Sequence, residues 1–166
     1  MNHGWTTPNQ GYQKCNYDCS YNQHGSDVRA GWIVRDSNGF YKEATQSKGL
    51  RCMNPLEAEL QALLMAMQHA WSRGYTHVVF EGDNQQVMKL LNGKSRNFQV
   101  HNLLREIQVW QVRFTSSTFT WVPRAQNKAA DCLAKSPLPQ SLNFVNHSYV
   151  PDFLVQILHE DHISSH

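Results

Sequence analysis

The feature that most restricts how this chain can fold is one sharply delimited helix set between two groups of strands. Asn54 has the chemistry of an N-cap, Pro55 suits the first helical position, and Glu57 stands where a capping-box carboxylate reaches back. Leu56, Leu60, Leu63, Leu64 and Met67 recur at helical spacing, and Arg73-Gly74 closes the run. Before the helix, residues 14–21 alternate, with Cys15, Tyr17 and Cys19 on one face and Asn16, Asp18 and Ser20 on the other. Residues 22–27 carry turn chemistry. Residues 28–35 and 40–48 read as two more strands around Asp36-Ser37-Asn38-Gly39, where Asn-Gly supplies the positive φ angles of a hairpin. Three strands joined by short turns make an antiparallel meander. After the helix, residues 77–81 form a short apolar strand. Reached by a crossover, it is predicted to pair in parallel with an earlier strand.

The remaining elements are weaker. Asp83 can cap a helix over 84–91, a third helix spans about 99–111, residues 114–122 alternate as a fifth strand, and Asn127 can cap a fourth helix through 135. The order is βββαβααβα, an α/β fold with a five-stranded mixed sheet, three strands antiparallel and two parallel, flanked by helices. Residues 1–12 read as a loose N-terminus, 13–136 as the domain, and 137–166 as a tail. The tail is irregular over 138–147 and carries a short amphipathic helix over 151–159.

Composition limits the function classes. The longest apolar run, residues 62–67, is far short of the about 20 residues a membrane span needs, so no membrane partner is expected. Fifteen basic against thirteen acidic side chains give a net charge of +2, too weak a footprint to hold nucleic acid by charge alone. Residues 1–10 carry no apolar segment, so no signal peptide is expected. The four cysteines are then expected reduced, in an intracellular protein of nucleus or cytoplasm. Cys15 and Cys19 on one strand lie about 13 Å apart and cannot bridge.

Four carboxylates stand at informative places. Asp18 lies mid-strand, where Asp is depleted. Glu59 shares a helix face with Leu56 and Leu63, and a charge is rarely placed there without a partner. Asp83 follows the fourth strand at the end where ligands collect in parallel sheets, although capping alone would justify it. Asp131 sits one turn into the last helix. Brought to one cleft, such carboxylates repel and raise one another's pKa, and they persist with divalent cations among them. Mg²⁺ favours carboxylate, water and phosphate oxygens, and two such ions serve phosphodiester hydrolysis.

The segments CNYDCSYN, AGWIVRDSNGFYKEA, NPLEAELQALLMAMQHAWSRGYTHVVFEGDNQQVMKLL and FTWVPRAQNKAADCLAKSP resemble the plant ribonuclease H-like domain family. That family belongs to the type 1 ribonuclease H superfamily and is related to the ribonuclease H parts of reverse transcriptases. The resemblance covers roughly residues 13–136, and the tail PDFLVQILHED is similar to the ending of many plant members. It implies a ribonuclease H-like fold and a monomeric endonuclease cutting the RNA strand of RNA–DNA hybrids. It also implies two Mg²⁺ ions, replaceable by Mn²⁺, with Asp18 bridging them, Glu59 and Asp83 on one and Asp131 on the other. For the substrate, Asn22, Asn54, Asn84 and Gln85 are candidates for RNA 2′-hydroxyls. Lys14, Arg29, Lys94, Arg96, Arg124 and Lys128 are candidates for phosphates.

Three positions and one missing insertion depart from the family. Cys19 replaces the glycine after the first aspartate, and Asn84 replaces the Ser or Thr after the third. Arg124 stands near the place of a histidine that many cellular members carry. Only Lys94 and Arg96 occur where some members have a basic insertion. These departures keep two rivals open, a domain that binds nucleic acid or protein without cutting, and an accessory domain active only beside another chain.

Overall fold

A computed structural model of the chain describes residues 4–22, 28–139 and 141–165. The predicted meander is present as β1 (Gln13–Ser20), β2 (Arg29–Arg35) and β3 (Tyr41–Lys48), with β2 antiparallel to both neighbours. Helix α1 (Pro55–Ser72) crosses to β4 (His77–Gly82), which lies parallel to β1. Next come α2 (Gln85–Leu91), α3 (His101–Gln111), β5 (Ser116–Trp121), parallel to β4, and α4 (Lys128–Lys135). The turn predicted at 22–27 lies, from residue 23 onward, outside the described residues.

The sheet has six strands, where the sequence pattern predicts five. The sixth, β6 (Phe144–His147), pairs antiparallel with β3 inside a stretch predicted to be irregular. Its four residues alternate too briefly to register. Polar contacts hold it instead: Thr45 Oγ1 donates to Asn146 Oδ1 over 2.8 Å, and the His147 ring meets Gln46 Oε1 at 2.9 Å. The sheet order β5-β4-β1-β2-β3-β6 puts β1 inside, with covered faces on both sides.

One face packs on α1 to α3 through Tyr17, Trp32, Leu60, Leu63, Phe80 and Ile107. The other packs on α4 and the tail helix α5 (Val155–Ser165) through Ile33, Ala44, Leu133 and Leu154. Gly31 of β2 makes the α4 contact possible, since a Cβ there would stand 2.5 Å from the Ala134 backbone nitrogen.

Several local expectations are corrected. The hairpin after β2 uses one positive φ, at Gly39 (+84°), while Asn38 stays negative; Asp36 Oδ1 accepts from the amides of Asn38 and Phe40. Helix α2 is capped by Asn84, which accepts from the Val87 amide, so Asp83 is not consumed as a cap. Asn127 makes no cap bond to α4. The N-terminal segment is not loose from residue 4 onward: Trp5 is only 1% exposed and donates to Asn16 Oδ1 over 2.8 Å. Helix α5 runs six residues beyond the predicted 159, because Asp161 within it reaches a buried arginine.

Candidate active site

The site is built on the α4 face of β1. Alternation puts Lys14, Asn16 and Asp18 on that face, and all three are buried. Lys14 Nζ pairs with Glu81 Oε2 of β4 at 3.1 Å. Asn16 Nδ2 donates to Glu81 Oε1 at 3.0 Å and to Asn127 Oδ1 at 3.1 Å, and Asn127 Nδ2 donates to the Tyr17 carbonyl at 3.0 Å. Arg35 of β2 joins from the far side, 2.7 Å from Asp161 Oδ2 and 3.4 Å from Asn16 Oδ1, with Trp5 stacked on its guanidinium at 3.9 Å. Two cations and two carboxylates balance, so this network carries no net charge into the core. Asn127, instead of capping α4, ties the start of that helix to β1, and so fixes Asp131 relative to Asp18.

Directly beyond this network the balance ends. One oxygen of Asp18, one of Glu59 and the Cys19 sulfur all lie within 4.8 Å of one another. Asp83, at the end of β4, and Asp131, one turn into α4, act on the same group electrostatically. Burial first, then repulsion from Glu59 and Asp83, pushes the Asp18 carboxyl up to about 9. Burial also pushes Glu59 up to about 7, partly offset by hydrogen bonds from Cys19 and Asp18. Asp83 is raised by burial and eased by Arg124, whose Nε lies 3.9 Å from Asp83 Oδ2. Glu59 Oε2 and Asp83 Oδ2 are buried without a hydrogen-bond donor, and so is the Tyr17 hydroxyl beneath them. Asp131 differs: it sits at the half-exposed rim and is paired with Lys135 at 3.0 Å.

Carboxylates crowded at a strand end, with two buried oxygens that no protein donor satisfies, offer ligands that could hold a divalent cation. Of the four acids picked out in the sequence, Asp18 and Glu59 are in one cluster, Asp83 acts on Asp18 electrostatically, and Asp131 stands at the edge.

Residues 16–137 match the reverse transcriptase-like family. The chain belongs to that family. A ribonuclease H protein of Arabidopsis thaliana is 28% identical over 163 residues, covering 98% of this chain and 26% of the relative. Ribonuclease HI of Halobacterium salinarum is 30% identical over 118 residues, 65% of this chain and 55% of the relative. The chain therefore spans about a quarter and about half of these two proteins. Ribonuclease H1 of H. salinarum superposes with a TM-score of 0.69 at 23% identity, over 74% of this chain and 93% of that one. LC11 ribonuclease H1, solved with an RNA/DNA hybrid, gives 0.65 at 16% identity, over 73% and 92%. These likenesses show the ribonuclease H-like fold.

The other predicted site residues of this ribonuclease H-like domain are spread more widely. Asn54 and Asn84 line a groove of about 360 Å³ with Gln86 and Asn97. Their side-chain oxygens are occupied by the caps of α1 and α2, which leaves the amide NH₂ groups for a ligand. Gln85 is exposed at the start of α2, and Lys128 at the start of α4. Asn22 lines a separate groove with Ser20, Arg29 and Lys48. Arg124 is well exposed beside Asp83 in a single 3-10 turn, Arg124–Gln126. Lys14 is excluded as a phosphate contact, because it is buried against Glu81 and the Thr6 carbonyl. Sequence reasoning missed Asn16, Glu81, Asn127 and Asp161. Glu81 did carry a signal, as an acid on an otherwise apolar strand, whereas Asp161 is hidden in the polar run His159-Glu160-Asp161-His162.

Proposed function

We propose that this domain is an endonuclease that hydrolyses the RNA strand of RNA–DNA hybrids with two divalent cations, Mg²⁺ or Mn²⁺. The observation that carries the reading is the buried acid group in which Glu59 Oε2 and Asp83 Oδ2 have no protein donor. Asp18, Glu59, Asp83 and Asp131 would hold the ions. Bound there, such ions supply an activated water and neutralise charge on the leaving 3′ oxygen. The chain's own residues then orient the substrate. Arg124, free on its outer side, attracts the backbone phosphate toward Asp83. Asn54, Asn84 and Gln85 present amide donors where 2′-hydroxyls would pass, the group that separates RNA from DNA. The network behind Asp18 keeps the acids in place without lending them charge. The relative solved with an RNA/DNA hybrid has this fold, which supports the substrate class.

A second reading, a domain that holds nucleic acid without cutting it, is favoured by Cys19, whose side chain stands among the acids where the resembled family has glycine. One assay separates the two. An end-labelled RNA strand paired with DNA is incubated with protein in Mg²⁺ and in Mn²⁺, beside Asp18→Asn and Glu59→Gln. The nuclease reading expects metal-dependent cleavage lost in both variants and absent on double-stranded DNA. Binding of the hybrid with no cleavage in either metal would refute it.

A further inference from the structure

Among the described residues, the group that could hold a metal contains sulfur as well as oxygen. Cys19 is the penultimate residue of β1, and its Sγ shares a 4.8 Å cluster with Asp18 and Glu59. The other three thiols lie outside the group. Cys15 is in the apolar core and Cys132 faces the Phe153 carbonyl, while Cys52 packs in one small cluster with Cys19 but is turned to the Leu50 carbonyl. Two further side chains mark the spot as built for a ligand. Glu59, 9% exposed, keeps Oε2 without a donor, and the Tyr17 hydroxyl, two residues before Cys19 on the same face and 1% exposed, has no partner either. Buried polar atoms without partners are rare unless something absent from the chain completes them.

The donor set determines which ion fits. Carboxylates and water alone suit Mg²⁺. Adding a thiolate shifts preference to Zn²⁺ and its softer relatives, and imposes a compact geometry that Mg²⁺ does not share. We propose that Cys19, Asp18 and Glu59 form a mixed sulfur–oxygen site that takes a thiophilic divalent ion, Zn²⁺ or Co²⁺, in preference to Mg²⁺. The step is a ligand exchange: the thiol S–H bond is replaced by a sulfur–metal bond, its proton and those held on the Asp18 and Glu59 carboxyls pass to solvent, and no atom changes oxidation state. The proposal rests on the acid-lined cation site described above and adds one donor to it.

Co²⁺ is the probe, titrated into the purified full chain and followed by absorption. A thiolate-to-cobalt charge-transfer band is expected in the near ultraviolet, saturating at one ion and displaced by Zn²⁺. Cys19→Ser and Cys19→Gly should abolish the band and weaken Zn²⁺ binding by about tenfold or more, while Mn²⁺ binding stays within about twofold. Cys52→Ser should leave the band intact. Circular dichroism confirms that each variant is folded. A wild-type protein without the band, or a band that survives in both Cys19 variants, overturns the proposal. If Mn²⁺ still binds and Asp18→Asn weakens it, the carboxylate site stands and only the sulfur donor is refuted. If Mn²⁺ does not bind at all, the cation-site reading fails, and the sulfur site with it.

Discussion

Removing the carboxylate of Asp161 tests how the ends of the chain are held. Arg35 and Asp161 meet at 2.7 Å with side chains 3% and 8% exposed, far from the surface case in which ion pairs contribute little. In Asp161→Ala the guanidinium stays buried. Its remaining neighbours include the Asn16 amide oxygen at 3.4 Å and the face of Trp5 at 3.9 Å, with the Glu81 carboxylate acting from further off. Breaking a buried pair on one side costs about 3–5 kcal/mol. At about 2–4 °C per kcal/mol for a chain of this size, the melting temperature should fall by about 6–20 °C. The loss should persist in 0.5 M salt, because buried pairs are poorly screened. Replacing both partners, Arg35→Met with Asp161→Leu, removes the stranded charge and should return stability to within about 1 kcal/mol of the wild type or above it. Thermal and urea unfolding followed by circular dichroism reads all three proteins. A cost below about 1 kcal/mol for Asp161→Ala, or a double variant worse than the single one, would refute a buried network that seats α5.

The other predictions concern the site and its supports. Asp18 and Glu59 hold protons in the metal-free folded state that the unfolded chain has already lost. The folded state therefore binds more protons from about pH 4 to about 9 for Asp18 and to about 7 for Glu59, and that contribution to stability declines as pH rises. In chelator, the melting temperature of the wild type minus that of Asp18→Asn should fall between pH 5 and 9; a difference that rises with pH would contradict the crowding. Gly31→Ala places a Cβ 2.5 Å from the Ala134 backbone nitrogen, so α4 must move, and urea unfolding should show a loss of about 1–3 kcal/mol. Asn127→Ala strands the Tyr17 carbonyl and one Asn16 amide hydrogen, at about 1–3 kcal/mol for each orphaned group. Because Asn127 ties α4 to β1, hybrid cleavage should drop further than the folded fraction does, and equal losses would argue for a purely structural role.

What the sequence could and could not reveal follows from the range of the interactions. Helix α1 and strands β1 to β4 are written in local terms, as period, cap and turn, and they were legible. Which of two adjacent residues caps α2 was not. Asp83 and Asn84 are chemically equal caps, and the choice falls to Asn84 because β4 stays paired with β5 as far as Gly82, opposite Trp121. Sequence reasoning could group the four acids from their places on strand, helix and strand end, and the family resemblance selects the same four, but it could not see what holds them. The supports join residues 65, 111 and 126 positions apart, and no local pattern reports such pairs.

The misreading of Lys14 as a phosphate contact has the same root. Alternation identifies one face of a strand as apolar and leaves the other to be taken for solvent. Here α4 and α5 cover that second face, so Lys14, Asn16 and Asp18 are 5%, 0% and 5% exposed. A polar face buried in this way must be satisfied residue by residue. Lys14 finds Glu81, and Asn16 finds Glu81, Asn127 and Trp5. Asp18 receives only the backbone amide of Cys19, and its nearest side chains are another acid and a thiol. The place where internal pairing stops on this face is therefore the place where the acids cluster. Trp5 and Asp161, both outside the family-matched residues 16–137, close the network from either side and leave Asp18 as the acid on this face that no basic side chain pairs.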